Sequence, residues 1–211
     1  MIDIRHNIGG KTYNAVDFIS HLISEPMEGI LVTKKEGGFQ PRLTHEPDTD
    51  IQYLKPVVVL INGCCASASE YFANEVFKIF HVTLVGDTTS GCAGATETID
   101  LPSGFKANLP TYCCLRYDNE QIEWNGIPPK ILVQQTKTNL ENGHDLQLEF
   151  AINFINQHGM NFHYERAMSN KKTLSKSPEI RKEYYPSPST TDIFEKFRPL
   201  PVEMLGQNSL F

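Results

Sequence analysis

Five aliphatic residues in a row, Val57-Val58-Val59-Leu60-Ile61, followed by a turn of small residues, Asn62-Gly63-Cys64-Cys65-Ala66, and then Ser67-Ala68-Ser69-Glu70, leave this chain few ways to fold. The apolar run reads as a buried strand, the small residues as a tight turn, and the segment after them as a helix that opens on a serine. Strand-turn-helix units of this kind present a nucleophile at the carboxyl end of a strand, so Ser67 is the first candidate site residue. The same residues have a plainer use. Ser67-x-x-Glu70 fits a capping box, worth about 1 kcal/mol with no chemistry at all.

Around this centre the pattern alternates between strand and helix. Ile2 to Arg5 reads as a strand that leads into His6-Asn7-Ile8-Gly9-Gly10, a turn whose glycines allow positive φ and close approach of the backbone. Val16, Phe18, Ile19, Leu22 and Ile23 recur at helical spacing, and Gly29 to Thr33 reads as a second strand. Lys34 to Lys55 is polar and is expected to be a long surface loop. The helix from about residue 67 to 80 is followed by a short buried strand, Val82 to Val85, and by the loop Gly86 to Gly94. Three such alternations imply an α/β domain with parallel strands. Short strands near 95–101, 105–109 and 112–117 come next, then the breaker Gly126-Ile127-Pro128-Pro129, a strand near 131–134 and a helix near 145–156.

Residues 1–157 therefore read as one domain, and residues 158–211, rich in Lys, Ser and Pro, as a tail or appendage with one short helix near 191–197. That segment holds eight Lys/Arg against six Asp/Glu, a balance of +2, so the formal net charge of −6 leaves −8 on the domain. An acidic body without a basic stripe argues against nucleic acid as a partner. No apolar run approaches the roughly 20 residues of a membrane span. No signal peptide opens the chain, and because it starts inside what reads as a core strand, the domain is expected to lack its amino-terminal part. Five cysteines in two vicinal pairs and a single, Cys64-Cys65, Cys92 and Cys113-Cys114, match neither a disulfide framework nor a zinc site and read as buried thiols.

The order Ile-Asp-Ile-Arg-x-Asn-x-Gly-Gly, then an apolar strand with Ser-Ala-Ser-Glu, then Val-Gly-Asp-Thr-Thr, resembles the catalytic domain of the C-terminal processing, or tail-specific, serine peptidases over residues 1 to about 157. The resemblance implies a ClpP/crotonase-like β-α superhelical core with additional short antiparallel strands. It implies Ser67 as nucleophile and an oxyanion hole from the backbone amides of Ala68 and of Gly9 or Gly10. It implies a protein or peptide substrate, no metal or organic cofactor, and an exported or cell-envelope setting. The physics of a helix amino terminus agrees, since its unpaired N–H groups and partial positive field suit a developing oxyanion.

One departure bears on mechanism. Typical members carry a lysine base in the loop after the Val-Gly-Asp strand, and here that place is Cys92. Lys78 and Lys106 are substitutes that no spacing aims at Ser67, and a thiolate base is disfavoured in an acidic domain. The loop Gly86-Asp87-Thr88-Thr89-Ser90-Gly91 is more similar to the branch of the tricorn core protease and the interphotoreceptor retinoid-binding repeats. In the tricorn-type site a histidine works with the serine and a glutamate orients it. The stretch Glu123-Trp124-Asn125-Gly126-Ile127-Pro128 matches the glutamate motif, making Glu123 the orienting carboxylate, with the histidine expected upstream of Met1. His6, beside the glycine turn, is the one nearby stand-in; the remaining histidines, His45 among them, read as ordinary surface or satisfied residues, and Asp3 and Arg5 as a pair supporting the turn. Two other readings stand beside a peptidase: an inactive module that binds peptides or an apolar ligand, and an acyl-handling enzyme of the crotonase type.

Overall fold

The computed structural model describes residues 1–33 and 37–158. In chain order the elements are β1 (Ile2–Asp3), α1 (Thr12–Ser20), β2 (Met27–Glu28), β3 (Leu31–Val32), β4 (Thr44–His45), β5 (Val57–Ile61), α2 (Ala68–Phe77), β6 (Val82–Gly86), β7 (Thr96–Asp100), β8 (Lys106–Pro110), β9 (Cys114–Leu115), β10 (Ile131–Leu132), α3 (Lys137–Glu141) and α4 (Leu146–His158). The tail and its short helix near 191–197, expected from the sequence, lie from residue 159 onward outside the described residues.

The fold is mixed α/β. Strands β1, β5, β6 and β10 form a parallel sheet in that order, with Ile2 opposite Val59, Val57 opposite Val82 and Ile131 opposite Val85. Alternation along β5 divides the core between the two faces of the sheet. Val57, Val59 and Ile61 pack with Ile19 of α1 and Phe72, Ala73 and Val76 of α2, whereas Val58 and Leu60 pack with Ala151, Leu148 and Phe154 of α4. Because both faces are covered, all five β5 residues are buried, and the strand reads as an unbroken apolar run instead of an alternating one.

Three small antiparallel pairs surround this sheet: β2 with β4, β3 with β9 and β7 with β8. The stretch expected as loop over 34–55 thus contains a strand, β4, because His45 turns inward. The strand expected over 112–117 contracts to Cys114–Leu115, which pairs with Leu31 and Val32. The helix expected to run to residue 80 stops at Phe77, and α1 starts at Thr12, ahead of the first apolar residue of its periodic set.

The cysteines also depart from expectation. All five are free, but Cys64 and Cys92 are exposed while Cys65 and Cys114 are buried. Neighbouring side chains on extended backbone point to opposite sides, so a vicinal pair at the edge of a core buries one thiol more deeply than the other.

At the end of β6, Gly86 has φ +129° and lies so close to the backbone of Ile61 that a Cβ would collide with the Ile61 carbonyl oxygen. That oxygen also accepts the Asp87 N–H at 3.0 Å, so neither strand can withdraw. Gly86→Ala is expected to lower stability by about 3 kcal/mol or more in urea denaturation; an unchanged midpoint would show that the strand ends can shift.

Candidate active site

Strand β5 ends against the turn that carries Ser67, and the backbone there is strained. Ser67 has φ +56° and ψ −122°, a region that residues with a Cβ avoid at a cost of about 1–3 kcal/mol. Contacts on both sides hold it: its N–H donates to the Cys92 carbonyl at 2.9 Å and lies 3.3 Å from Glu70 Oε2. Ser67 and Glu70 form the capping box that the sequence motif offers, each side chain facing the other's backbone N–H, although the Ser67 hydroxyl does not reach full hydrogen-bond geometry. The Glu70 N–H goes to the Ser67 carbonyl, at 2.9 Å. Ser67 remains exposed at the amino end of α2.

Glu70 is fully buried and gathers the surrounding loop. Its carboxylate accepts from Thr89 Oγ1 at 2.6 Å, Gly91 N–H at 2.7 Å and Cys92 N–H at 2.8 Å. Thr89 in turn passes the link onward. Its Oγ1 accepts the Ile127 N–H at 2.7 Å and its own N–H donates to the Ile127 carbonyl at 3.1 Å. One carboxylate therefore ties the Ser67 turn to the loop after β6, and that loop to the segment 122–127.

The glycine turn meets Ser67 from β1. A Cβ on Gly9, which has φ +96°, would lie 2.7 Å from Ser67 Cβ and 2.8 Å from the Ala68 nitrogen, so only glycine permits this approach. The turn is pinned by Asn7, whose Oδ1 accepts the Gly9 N–H at 2.8 Å and whose carbonyl accepts the Ala66 N–H and the Ser69 hydroxyl, and by Asn62, whose Oδ1 accepts the His6 N–H at 3.0 Å. Gly10 has open space where a side chain would be. A cavity of about 340 Å³ opens beside the turn, with Gly9, Gly10, Ala68 and Ser69 on its lining and Ile2, Ile4, Ala15, Phe18 and Phe72 as its apolar wall.

Glu123 is buried, with 7% of its surface exposed, and its two oxygens are treated differently. Oε2 lies 3.3 Å from the Cys114 N–H, whereas Oε1 has no hydrogen-bond partner and faces Gly94, where a Cβ would come within 2.7 Å. Burial pushes the Glu123 carboxyl above its ordinary value, and the negative charge of Glu70 adds to this against the pull of the backbone N–H groups. Burial and Glu123 together push the Cys114 thiol up to about 12, so it is a packed thiol and not a nucleophile. Glu123 makes no direct hydrogen bond to Ser67. The two are joined through Gly91, whose carbonyl accepts the Trp124 N–H at 2.9 Å, and its neighbour Cys92.

Lys78 and Lys106, the two candidate substitutes, are occupied elsewhere. Lys78 Nζ sits 2.6 Å from Glu75 Oε2 and 2.6 Å from the Glu28 carbonyl, and Lys106 pairs with Asp100 on the β7–β8 hairpin. His6 leans on Asn62, with Nε2 3.2 Å from Nδ2. Arg5 does pair with Asp3, at 2.7 Å, but its other arm reaches Asp145 at 2.8 Å, whose carboxylate accepts the Leu148 N–H in the first turn of α4; the pair anchors that helix more than the glycine turn. His45, read from the sequence as an ordinary residue, is buried on α2, with Nε2 3.1 Å from Glu75 Oε2 and 3.3 Å from the Tyr71 hydroxyl. Glu75 is itself fully buried, between His45, Lys78 and Asn74. Nothing in the spacing of a loop histidine and a helical glutamate signals this cluster. Among the described residues no group of three or more His, Cys, Asp or Glu side chains is placed to hold a metal ion, and no helix is long and apolar enough to cross a membrane.

An α/β domain that presents a strained, exposed serine at a helix amino terminus, against a glycine turn, has the layout of a serine hydrolase. Residues 1–133 match the model of peptidase family S41, and the chain belongs to that family. It is 35% identical over 151 residues to a carboxy-terminal-processing protease of Bartonella bacilliformis, covering 70% of this chain and 34% of that protein. It is 27% identical over 138 residues to the carboxy-terminal processing protease CtpB of Bacillus subtilis, covering 64% of this chain and 28% of the relative. The chain thus spans about a third of the length of these relatives. Among solved structures, a putative peptidase from Parabacteroides merdae superimposes with a TM-score of 0.66 at 28% identity, over 72% of this chain and 50% of the other. The tricorn protease shares the fold at a TM-score of 0.56 and 18% identity, over 75% of this chain and 15% of that one.

Two outcomes test the wiring of the site. Glu70→Ala strands at least three buried or half-buried donors and is expected to cost about 3–5 kcal/mol in chemical denaturation; a loss below 1 kcal/mol would mean that the loop holds itself. For Glu123 the sign runs the other way from a paired carboxylate. Its folded-state pKa is raised, so the stability that it contributes is present below the unfolded carboxyl pKa and lost as pH rises through the folded value. Glu123→Gln is therefore expected to be more stable than wild type at pH 8, with the gap closing toward pH 4. Denaturation curves at the two pH values check this, and a gap that widens on acidification would contradict it.

Proposed function

We propose that this chain is a serine peptidase domain that cleaves peptide bonds of protein or peptide substrates through Ser67, on a ClpP/crotonase-like β-α core. The observation that carries the reading is Ser67 itself: exposed, held at positive φ at the amino end of α2, and met at close range by the Gly9 turn. A residue kept in an unfavourable conformation by several independent bonds is the mark of a site whose geometry matters more than its local stability.

In this reading Ser67 Oγ attacks the carbonyl carbon of the scissile peptide and its proton passes to a general base. The carbonyl oxygen becomes an oxyanion that accepts from the Ala68 N–H and from the Gly9–Gly10 turn. The Gly9 N–H is held by Asn7 Oδ1, so Gly10 N–H is the donor of the turn available to a ligand, and Gly9 supplies the close approach. The collapse of the tetrahedral intermediate expels the amine, which takes the proton from the base, and water then releases the acyl group from Ser67. The apolar cavity beside Gly9 and Ala68 receives the side chain next to the scissile carbonyl. Glu123 orients the base: the orphaned Oε1 is an acceptor suited to an imidazole N–H. The base in this proposal is a histidine outside the described residues, because Lys78 and Lys106 are bonded elsewhere and Cys92 stands in the lysine's place. Resemblance to exported family members supports an extracytoplasmic setting for the protein.

A second reading, a module that binds peptides without cleaving them, is favoured by the same Cys92. A fluorophosphonate probe separates the two. Labelling of the chain is expected to be lost, by at least about 100-fold, in Ser67→Ala. A folded wild-type chain that labels no better than Ser67→Ala, and still binds peptide, would favour the binding module.

A further inference from the structure

The single tryptophan of the chain, Trp124, is 87% exposed and stands at φ +70°, a conformation that a bulky side chain adopts at a cost of about 1–2 kcal/mol. The fold draws nothing from its ring, which meets no other aromatic ring and no cation among the described residues. Asn or Gly would adopt this backbone more readily. The backbone is nonetheless fixed on both sides. Ile122 and Ile127 are fully buried, the Asn125 and Gly126 N–H groups bond the Ile122 carbonyl at 3.0 and 2.8 Å, and a Cβ on Gly91 would lie 2.9 Å from the Trp124 nitrogen.

The position of this turn gives the exposure a meaning. Trp124 N–H is bonded to the Gly91 carbonyl, and the next carbonyl along, that of Cys92, accepts the N–H of Ser67. The indole is rooted one residue away from the group that touches the Ser67 backbone, on the loop after β6, while the apolar cavity lies on the α1 side, beside Gly9 and Ala68. Gly91, Cys92, Ala93 and Gly94, which run past it, are small and uncharged. We propose that Trp124 is a substrate-binding residue: its indole packs on an apolar or aromatic side chain of the bound polypeptide, within about three residues of the scissile bond as an extended chain counts them. The inference rests on the peptidase reading and adds to it a second grip, separate from the cavity.

Because Trp124 is the only tryptophan, its emission reports its own surroundings. In the full-length Ser67→Ala chain, saturation with oxidised insulin B chain, an extended polypeptide without tryptophan, is expected to shift the emission to the blue and to cut acrylamide quenching about threefold. Trp124→Asn, which keeps the backbone conformation, is expected to weaken binding of the fluorescein-labelled B chain about tenfold by anisotropy, with a thermal midpoint equal to or above that of its parent. Binding that leaves the quenching unchanged, or that Trp124→Asn does not weaken, overturns the assignment of Trp124 and leaves the peptidase reading standing. Absence of any B-chain binding by Ser67→Ala overturns both.

Discussion

A single buried carboxylate holds the arrangement together. Glu70 lies one turn into α2 with no exposed surface, and its two oxygens collect N–H and O–H groups from Thr89, Gly91 and Cys92 and lie within reach of the Ser67 N–H. A charge in that position is tolerable only because every side of it is met by a donor and because it sits near the positive end of a helix. Without it the loop after β6 would have to satisfy its own amides. The Ser67 backbone would then lose one of the contacts that keep it at positive φ, and the segment carrying Glu123 would lose the Thr89 bridge.

The parallel sheet was legible because burial on both faces writes an unbroken apolar run, and β5 shows one. The turn that carries Ser67 was legible for a related reason: small residues between a buried strand and a helix leave the chain only a tight turn. What the sequence hid was long-range polar contact. His45 and Glu75 are thirty residues apart and meet only after β4 has paired with β2, so periodicity carries no trace of them. The capping box was legible too, and it forms, but the motif tells only part of what Glu70 does. Its carboxylate, besides facing the Ser67 N–H, is shared with the 89–92 loop. Local statistics describe isolated helices, and here a tertiary contact is added to the cap.

Helix α2 inverts the usual distribution of charge. Its acidic residues, Glu70 and Glu75, are its most deeply buried polar groups, one serving the Ser67 turn and the other the cluster of His45, Lys78 and Asn74. The two ends of the helix are thereby fastened to different parts of the fold, the first to the loop after β6 and the second to β4 and β2. Tyr71, between them, bonds His45, and burial raises its hydroxyl well above its ordinary value, with Glu75 adding to the effect. The helix is anchored along its length by polar contacts as well as by Phe72, Ala73 and Val76.

The close approach at Gly9 has a consequence for how such a protein comes into being. The groups around Ser67 arrive from residues 7–10, 66–70, 89–92 and 122–127, and each segment is positioned only by contact with another. A chain emerging from synthesis, or one partly opened by stress, holds a serine like any other, with no glycine turn against it and no strained backbone. The arrangement around Ser67 exists only as a property of the closed tertiary structure, so whatever it does is withheld from a copy that is still unfolded.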